Sequence, residues 1–322
     1  MIRPFARLRL VGMVGVAALI AAACSNGGGT AAPTGLEKTN LTVAAVPALD
    51  SAGLYIAQQR GLFAAEGLHV TIVPAISSAT VIAAQRAGKY DITVGAYVAY
   101  MIADATQHAN LRVLAPGSDM APLTQEVMIA AGSSLLSVAG LKGKKIGVNA
   151  LNNIGTLMVS ALLADNGVSP NDVTFVPIPF PAMAAALKAH TVDAAWLPEP
   201  FITGAEESIG ARSLADVDQG ATQNLPVSGY IVTQPWLDKY PNTAAAFRRA
   251  VLRAQSIANS NLAAVQNGMV AYGGASRTTA QIAADPTYPL RSNPALLQRI
   301  AQLMEQFGMT QQVFNAPSMV RG

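Results

Sequence analysis

Short β-branched runs alternate with alanine-rich amphipathic stretches along most of this 322-residue chain. Continuous apolar runs predict buried strands, and apolar residues that recur every three or four positions predict helices. In the first half, the pattern predicts strands at 41–46, 68–74, 90–94 and 111–115, with helices at 53–66, 78–87 and 97–107. After an extended run at 125–131 it predicts strands at 144–149, 173–178 and 192–197, with helices at 155–166 and 183–189.

Regular alternation of strand and helix predicts a parallel sheet that is covered by helices on both faces. Because the alternation runs twice, we expect two α/β lobes that are joined by the extended runs 125–131 and 229–234, with a ligand cleft between the lobes. Lobe 1 is predicted to comprise residues 41–128 and 232–322, and lobe 2 residues 129–231. Beyond residue 234 the pattern is mostly helical, with predicted helices at 243–267 and 294–307.

The amino-terminal segment predicts export. Three arginines within the first nine residues precede an apolar run at 10–20 and then Ala21-Ala22-Ala23, an order typical of a secretory signal peptide over 1–23. The next residue, Cys24, gives the segment a resemblance to a bacterial lipobox, although Ala21 stands where leucine is usual. The resemblance implies that Cys24 carries the lipid. A plain secretory signal and an uncleaved anchor are alternatives, but the run is shorter than the roughly 20 residues that span a bilayer.

Residues 24–40 follow as a predicted flexible tether, because they are rich in glycine, serine and proline and lack an apolar period. The precursor carries a formal charge of +3, but loss of residues 1–23 lowers Lys plus Arg from 21 to 18, equal to the 18 Asp plus Glu. A neutral body without a basic patch argues against nucleic acid as a partner. With Cys24 as the only cysteine, no disulfide within the exported chain is possible.

Candidate catalytic and metal-binding patterns are missing from the sequence. His69, His108 and His190 lack metal-ligand spacing, and neither a phosphate-binding loop nor a nucleophile elbow occurs. We therefore expect no metal, no cofactor and no enzymatic activity.

Four motifs, in order, resemble those of the nitrate, sulfonate, taurine and thiamine-precursor solute-binding proteins of ABC importers. They are GLYIAQQRGLFAAEGL at 53–68, AGKYD at 87–91, KGKKIGV at 142–148 and VDAAWLPEP at 192–200. The resemblance implies a type II periplasmic-binding-protein fold that captures a small solute. It also implies delivery to a membrane permease with a separate ATPase, by a monomer held at the outer face of the membrane through Cys24.

Two other functions stay open. The chain is alternatively a ligand-sensing surface lipoprotein, or an enzyme like those relatives of the thiamine branch that make a pyrimidine from their own histidine. The histidines of this sequence are not in the expected strand-end loops, which argues against the enzyme.

Ligands of open α/β sheets bind beyond the carboxyl ends of strands, where loops lead into helix amino termini. In lobe 1 these loops contain Asp50, Ser77, Ser78 and Tyr97. Asp50 either accepts hydrogen bonds from a ligand or caps the helix near Gly53. Ser77 and Ser78 either hold a polar group or only cap a helix, and Tyr97 either faces the cleft or packs in the core.

In lobe 2 the corresponding loop contains Asn149, Gly155 and Thr156. The family resemblance implies that the Gly155-Thr156 pair lies against the ligand. Phe180 follows the next strand, where it either stacks on a planar ligand or plugs the hinge.

Trp196 and Glu199 end the last strand of lobe 2, and Tyr230 lies on the returning crossing. Glu199 either pairs with an amine or ring nitrogen, since a buried charge needs a partner, or caps the following helix. No arginine falls in a strand-end loop, so the sequence favours a planar, donor-bearing solute such as a thiamine-pyrimidine precursor. Sulfonates, taurine and nitrate-like solutes remain alternatives.

Overall fold

Two five-stranded mixed sheets form the framework of the computed structural model, which describes residues 35–320. The sheet of lobe 1 has the order β2-β1-β3-β10-β4, and the sheet of lobe 2 has the order β7-β6-β8-β5-β9. The strands are β1 (Asn40–Ala45), β2 (His69–Pro74), β3 (Ile92–Ala96), β4 (Leu111–Pro116), β5 (Gln125–Ile129), β6 (Lys145–Val148), β7 (Thr174–Pro177), β8 (Ala194–Pro198), β9 (Arg212–Asp216) and β10 (Ser228–Thr233).

Twelve α-helices of the described part cover these sheets. They are α1 (Ala52–Gln59), α2 (Leu62–Ala65), α3 (Ser78–Arg86), α4 (Tyr97–Gln107), α5 (Ile154–Asp165), α6 (Phe180–Lys188), α7 (Phe201–Ile209), α8 (Gln234–Lys239), α9 (Pro241–Ala258), α10 (Leu262–Gly268), α11 (Arg277–Ile282) and α12 (Pro294–Gln306). A π-helical turn, Met269–Gly273, follows α10. The predicted alternation of strands and helices is therefore present, and the predicted α/β fold with two sheets is confirmed.

The sheets are mixed rather than purely parallel, because β10 in lobe 1 and β5 in lobe 2 run antiparallel to their neighbours. β5 pairs only within the second sheet and β10 only within the first. The predicted boundaries at 128/129 and 231/232 would cut through these two strands. We therefore propose that the chain crosses between the lobes at 117–124 and at 217–227.

Two predicted helices are divided in the structure. The predicted helix 53–66 becomes α1 and α2, because Gly61 adopts a left-handed conformation with φ 65° that interrupts the helix. The predicted helix 243–267 becomes α9 and α10, and Asn261 caps the second of them by accepting a hydrogen bond from the Ala264 amide. Both breaks lie at residue types that favour turns.

The carboxy-terminal part of the chain contacts both lobes. α12 packs on α4 of lobe 1 and on α5 of lobe 2, and its buried residues Leu297, Ile300 and Met304 form one apolar face. α11 packs on α7 of lobe 2, whereas α10 packs on α1 of lobe 1. This part of the chain, predicted to belong to lobe 1, therefore also packs against lobe 2.

The segment that carries the predicted signal peptide and the predicted lipid site at Cys24 lies outside the described residues, as does most of the predicted tether 24–40. Within residues 35–320, no helix combines the length and the apolar character that crossing a membrane requires.

Candidate functional site

The carboxyl ends of the parallel strands in each lobe lie next to the crossings between the lobes. Leu49, which follows β1, donates its amide to the backbone carbonyl of Glu199, which follows β8, at 3.3 Å. Each loop begins where a buried strand ends and a helix starts, so both present side chains at the edge where open α/β sheets bind ligands. The contact joins lobe 1 to lobe 2 at this edge.

Asp50 lies beside the loop that follows β4 and the start of β10. Its Oδ1 accepts a hydrogen bond from the Ser118 hydroxyl at 2.7 Å, and Ser118 Oγ lies 3.0 Å from Ser228 Oγ. Ser118 follows β4, and Ser228 begins β10. Burial raises the pKa of the Asp50 carboxyl to about 6, and the hydrogen bond from Ser118 lowers it in part. α1 begins after Ser51 without a side-chain cap, so the Asp50 carboxyl bonds to Ser118 rather than to the amino terminus of this helix.

Glu199 is buried, with 4% of its surface exposed, and its carboxylate accepts three hydrogen bonds. Thr203 donates its amide to Oε2 at 3.2 Å and its hydroxyl to Oε1 at 2.8 Å, and the Ala284 amide donates to Oε1 at 3.4 Å. Glu199 thus caps the first turn of α7, as one sequence-based interpretation held. Burial nevertheless raises the pKa of the carboxyl to about 7, because the hydrogen bonds offset the loss of solvation only in part.

The amino termini of α3 and α5 are each capped by side chains of the chain itself. Ser77 and Thr80 form a capping box at α3, and Asn153 and Thr156 form one at α5. The Ser78 hydroxyl accepts a hydrogen bond from the Ala96 amide at 2.8 Å. Ser77 therefore has the helix-capping role that the sequence offered as an alternative to ligand binding, whereas Ser78 instead holds the end of β3.

Gly155 lies against the indole of Trp196. A Cβ at this position would approach three atoms of the Trp196 ring to under 3.0 Å, so only glycine fits. The Trp196 ring also contacts Phe180 at a centroid distance of 5.6 Å, and Phe180 stacks on Phe201 at 5.0 Å. Phe180 and Phe201 line a cavity of about 230 Å³ between α6, α7 and residues 273–279.

Tyr97 and Tyr230 are both fully buried. Tyr97 begins α4 with its ring against Gly229, and the Tyr230 hydroxyl lies against Gly53. Burial raises the pKa of both hydroxyls far above the usual tyrosine range. Tyr97 therefore packs in the core, which is the second of the two roles that the sequence allowed.

Three buried polar atoms at the carboxyl edge of lobe 2 lack a hydrogen-bond partner among the described residues. They are Asn149 Oδ1 after β6, Trp196 Nε1 on β8 and Gln125 Oε1 at the start of β5. Leaving such an atom unpaired costs about 1–3 kcal/mol. These atoms are therefore available to the polar groups of a solute. Sequence reasoning missed Gln125, because it lies at the amino end of an antiparallel strand rather than in a strand-end loop.

Sequence reasoning also missed Asp119 and Asp285. Asp119 follows β4 and pairs its backbone with Thr287 at 2.9 and 3.2 Å. Burial raises the pKa of both carboxyls to about 6. The rule that selected the other strand-end loops also applies to the loop after β4, so Asp119 could have been found. Asp285 lies in an irregular segment with no such signal.

All three histidines lie away from this edge. His69 begins β2, while His108 and His190 follow α4 and α6 shortly before β4 and β8, so all three are at the amino ends of strands and are exposed. Within residues 35–320, no group of three or more histidine, cysteine, aspartate or glutamate side chains is placed to hold a metal ion.

Comparison with known proteins identifies a family. Residues 48–261, about two thirds of the chain, match the family model described as NMT1/THI5 like. The chain is 25% identical over 244 residues to the nitrate/nitrite binding protein NrtA of Nostoc sp., a match that covers 68% of this chain and 54% of that relative. It is 28% identical over 249 residues to a putative ABC transporter periplasmic binding protein of Brachyspira hyodysenteriae, covering 72% and 68%.

A third relative is an enzyme. The chain is 26% identical over 209 residues to 4-amino-5-hydroxymethyl-2-methylpyrimidine phosphate synthase of Uromyces fabae, covering 62% of this chain and 60% of the relative. Among solved structures, the alkanesulfonate-binding protein SsuA from Xanthomonas axonopodis pv. citri has a TM-score of 0.76 at 17% identity, covering 89% of this chain and 99% of that one. This similarity shows that the two chains share the periplasmic-binding-protein fold. The chain spans about half the length of NrtA.

Proposed function

Since the chain belongs to the NMT1/THI5-like family, we propose that it is the extracytoplasmic solute-binding component of an ABC importer. The observation that carries this proposal is the set of unpartnered buried polar atoms at the carboxyl edge of lobe 2, the edge that Glu199 joins to Leu49 of lobe 1. A site of this kind, built from strand ends of two sheets, suits capture of a small polar solute. The protein delivers the solute, as a monomer, to a permease that a separate ATPase drives.

The names of the relatives support this role. NrtA is a nitrate/nitrite binding protein, and SsuA is an alkanesulfonate-binding protein. Other relatives carry the name of bicarbonate transport ATP-binding proteins. The solute of this chain is accordingly either a thiamine-pyrimidine precursor or a sulfonate, taurine or nitrate-like compound.

A calorimetric and thermal-shift survey tests the proposal. The full-length protein, solubilised in mild detergent, is titrated with nitrate, bicarbonate, taurine, alkanesulfonates and 4-amino-5-hydroxymethyl-2-methylpyrimidine. A solute present at 100 times its dissociation constant should stabilise the fold by about 2.7 kcal/mol. The absence of heat and of stabilisation with all of these solutes would contradict a receptor function.

A pyrimidine synthase is the second candidate, because one relative carries that name. The positions of His69, His108 and His190 at the opposite edge of the sheets weigh against a histidine as the pyrimidine source. Iron-dependent formation of a pyrimidine product by the purified protein would favour this candidate. A sensing role would instead be favoured by a neighbouring gene for a membrane kinase rather than for a permease and an ATPase.

Anchoring through a lipid on Cys24 completes the proposal and would hold the receptor near its permease. We expect Cys24→Ser to release the protein from the cell surface into the medium without a change in solute affinity. Fractionation of cells followed by calorimetry on the released protein checks both points. A variant that stays membrane-bound would contradict lipidation at this position.

A further inference from the structure

Four carboxylates, one buried and three half-buried, belong to segments that contact one another where the lobes meet: Asp50, Asp119, Glu199 and Asp285, here called the acidic seam. Asp50 and Asp119 follow β1 and β4 of lobe 1, and Glu199 follows β8 of lobe 2. The fourth, Asp285, belongs to the segment 284–288, which forms hydrogen bonds with or next to each of the other three residues.

The segment 284–288 contacts both lobes in sequence order. The Ala284 amide donates to Glu199 Oε1 at 3.4 Å, and the backbone of Thr287 pairs with Asp119. The Tyr288 hydroxyl then donates to the carbonyl of Leu49, the residue before Asp50, at 3.3 Å. Burial, together with the nearby charges of Asp285 and Asp50, raises the pKa of this hydroxyl. The segments that carry these four residues are therefore linked to one another by hydrogen bonds.

No basic side chain of the described residues forms an ion pair with the acidic seam. The ion pairs found within residues 35–320 join Lys38 to Asp91, Lys142 to Asp172, Lys144 to Asp193 and Arg249 to Glu66. Placing Glu199 in a buried site and the other three carboxylates in half-buried sites without a cation is costly, since no opposite charge offsets the desolvation. The hydrogen bonds that the protein gives to Asp50 and Glu199 offset this cost only in part.

A second, independent observation points to a ligand. Asn149 and Gln125 are each at least nine-tenths buried, and each has a side-chain oxygen without a partner. Both residues are at the edge of the second sheet where β8 ends at Glu199, since Asn149 follows the neighbouring strand β6 and Gln125 lies opposite Pro198. The two free oxygens call for hydrogen-bond donors, as do the nearby carboxylates that lack a cation, while the free indole N–H of Trp196 at the same edge calls for an acceptor.

We propose that the acidic seam binds a positively charged nitrogen of the solute, an ammonium or amidinium group, with Asp50 and Glu199 contributed by opposite lobes. This inference rests on the proposed receptor function and specifies the charge of the solute. Such a group donates hydrogen bonds to carboxylates and supplies the opposite charge. A nitrate or a simple sulfonate would instead add a negative charge to a region of four acids, a repulsion that grows as water is excluded.

Two matched pairs of probes test the charge assignment by calorimetry on the full-length protein. Taurine and ethanesulfonate differ only in an ammonium group, while benzamidine and benzoate share a ring and carry opposite charges. We expect the nitrogen-bearing member of each pair to bind at least about tenfold more tightly, since a hydrogen bond to a charged group contributes that much or more.

Substitutions in the acidic seam test which residues cause the preference for the nitrogen-bearing probes. Glu199→Gln and Asp50→Asn should each reduce it by about tenfold or more. Glu126→Gln is the matched control, because Glu126 is a buried carboxylate of lobe 2 that accepts a hydrogen bond from Ser213 at 2.9 Å, outside the acidic seam. The control should keep the full preference.

The outcomes separate this inference from the receptor function. Equal or tighter binding of ethanesulfonate, benzoate or nitrate overturns the charge assignment and leaves a receptor for anions in place. A preference that persists in both Glu199→Gln and Asp50→Asn overturns the role of the acidic seam. If none of the probes and none of the solutes in the wider survey binds, the receptor function fails, and the inference fails with it.

Discussion

Two kinds of polar region occur at the carboxyl edges of the sheets, and they differ in how their hydrogen bonds are used. At the amino termini of α3 and α5, capping boxes join Ser77 to Thr80 and Asn153 to Thr156, so these groups have partners inside the chain. In the acidic seam, by contrast, no carboxylate has a cation among the described residues. The polar groups of the capping boxes are paired with each other, whereas the carboxylates of the acidic seam have no opposite charge beside them.

The comparison shows why polar residues in strand-end loops are not equivalent as ligand sites. A hydroxyl that caps a helix replaces water with a backbone partner at little cost in free energy. A carboxylate that is buried by packing loses solvation, and three hydrogen bonds to Glu199 still leave its pKa raised to about 7. The carboxylates of the acidic seam are therefore stronger candidates for ligand binding than the hydroxyls of the capping boxes.

The largest effect should come from filling the space at Gly155. Gly155→Ala would push a methyl group into the Trp196 ring, and we expect a loss of about 2–3 kcal/mol in the free energy of unfolding, within the range for overpacked sites. Chemical denaturation measures this loss. Gly204→Ala is the matched control: Gly204 is also helical, but a Cβ there would meet no atom within 4 Å, so stability should rise by up to about 1 kcal/mol.

Equal stability of the two glycine variants would contradict the packing of Trp196 on α5. If Gly155→Ala instead keeps its stability and loses solute binding, Gly155 lies against the solute, as the family resemblance implies.

Glu199→Gln should have a smaller effect on stability, and the sign of this effect should change with pH. The folded state raises the pKa of Glu199 from 4.5 to about 7, so folding favours the protonated form. The contribution of Glu199 to the free energy of unfolding is therefore fully present below about pH 4.5. It is lost as the pH rises toward 7, and the loss is on the order of 3 kcal/mol. Glutamine avoids this loss, but its NH₂ group faces the Thr203 amide and gives up one hydrogen bond, about 1 kcal/mol.

We therefore expect Glu199→Gln, without solute, to be more stable than the parent by about 2 kcal/mol at pH 7 and less stable below pH 4.5. Urea denaturation at several pH values should give two curves that cross between these limits. Glu305→Gln, on the exposed face of α12, is a control that should not produce a crossing. Parallel curves for Glu199→Gln would mean that the carboxylate is not desolvated.

Much of the fold follows from local sequence pattern, because strand and helix periods and the turn residues are local signals. The capping boxes were also accessible, since Ser77 and Thr80, like Asn153 and Thr156, have the three-residue spacing that such boxes require. The acidic seam was only partly accessible. Asp50 and Glu199 were selected, but as isolated residues with open roles.

The rest of the acidic seam could not be predicted, because it depends on contacts between distant parts of the chain. The hydrogen bond from Ser118 to Asp50 spans 68 residues, and that from Ala284 to Glu199 spans 85. No period or spacing encodes such contacts, because they depend on how the crossings and the segment 284–288 pack together. The mixed direction of the sheets was missed for the same reason, since strand direction depends on which distant strand becomes the neighbour.

The smallest effect concerns the capping boxes. The Thr156 hydroxyl accepts from the Asn153 amide at 3.0 Å and donates to the Asn153 carbonyl at 2.7 Å, and it is buried. Thr156→Val should therefore cost about 1 kcal/mol in unfolding free energy, whereas Thr80→Val at the exposed box of α3 should cost only a few tenths.

Neither threonine variant should change the affinity for taurine or benzamidine, because both hydroxyls already have partners within the chain. Denaturation and calorimetry on the same two variants measure both quantities. A Thr156→Val variant with unchanged stability and at least about tenfold weaker binding would make this hydroxyl a ligand contact. The distinction between a closed capping box and an open acidic seam would then fail in lobe 2, because the α5 terminus would bind solute as well.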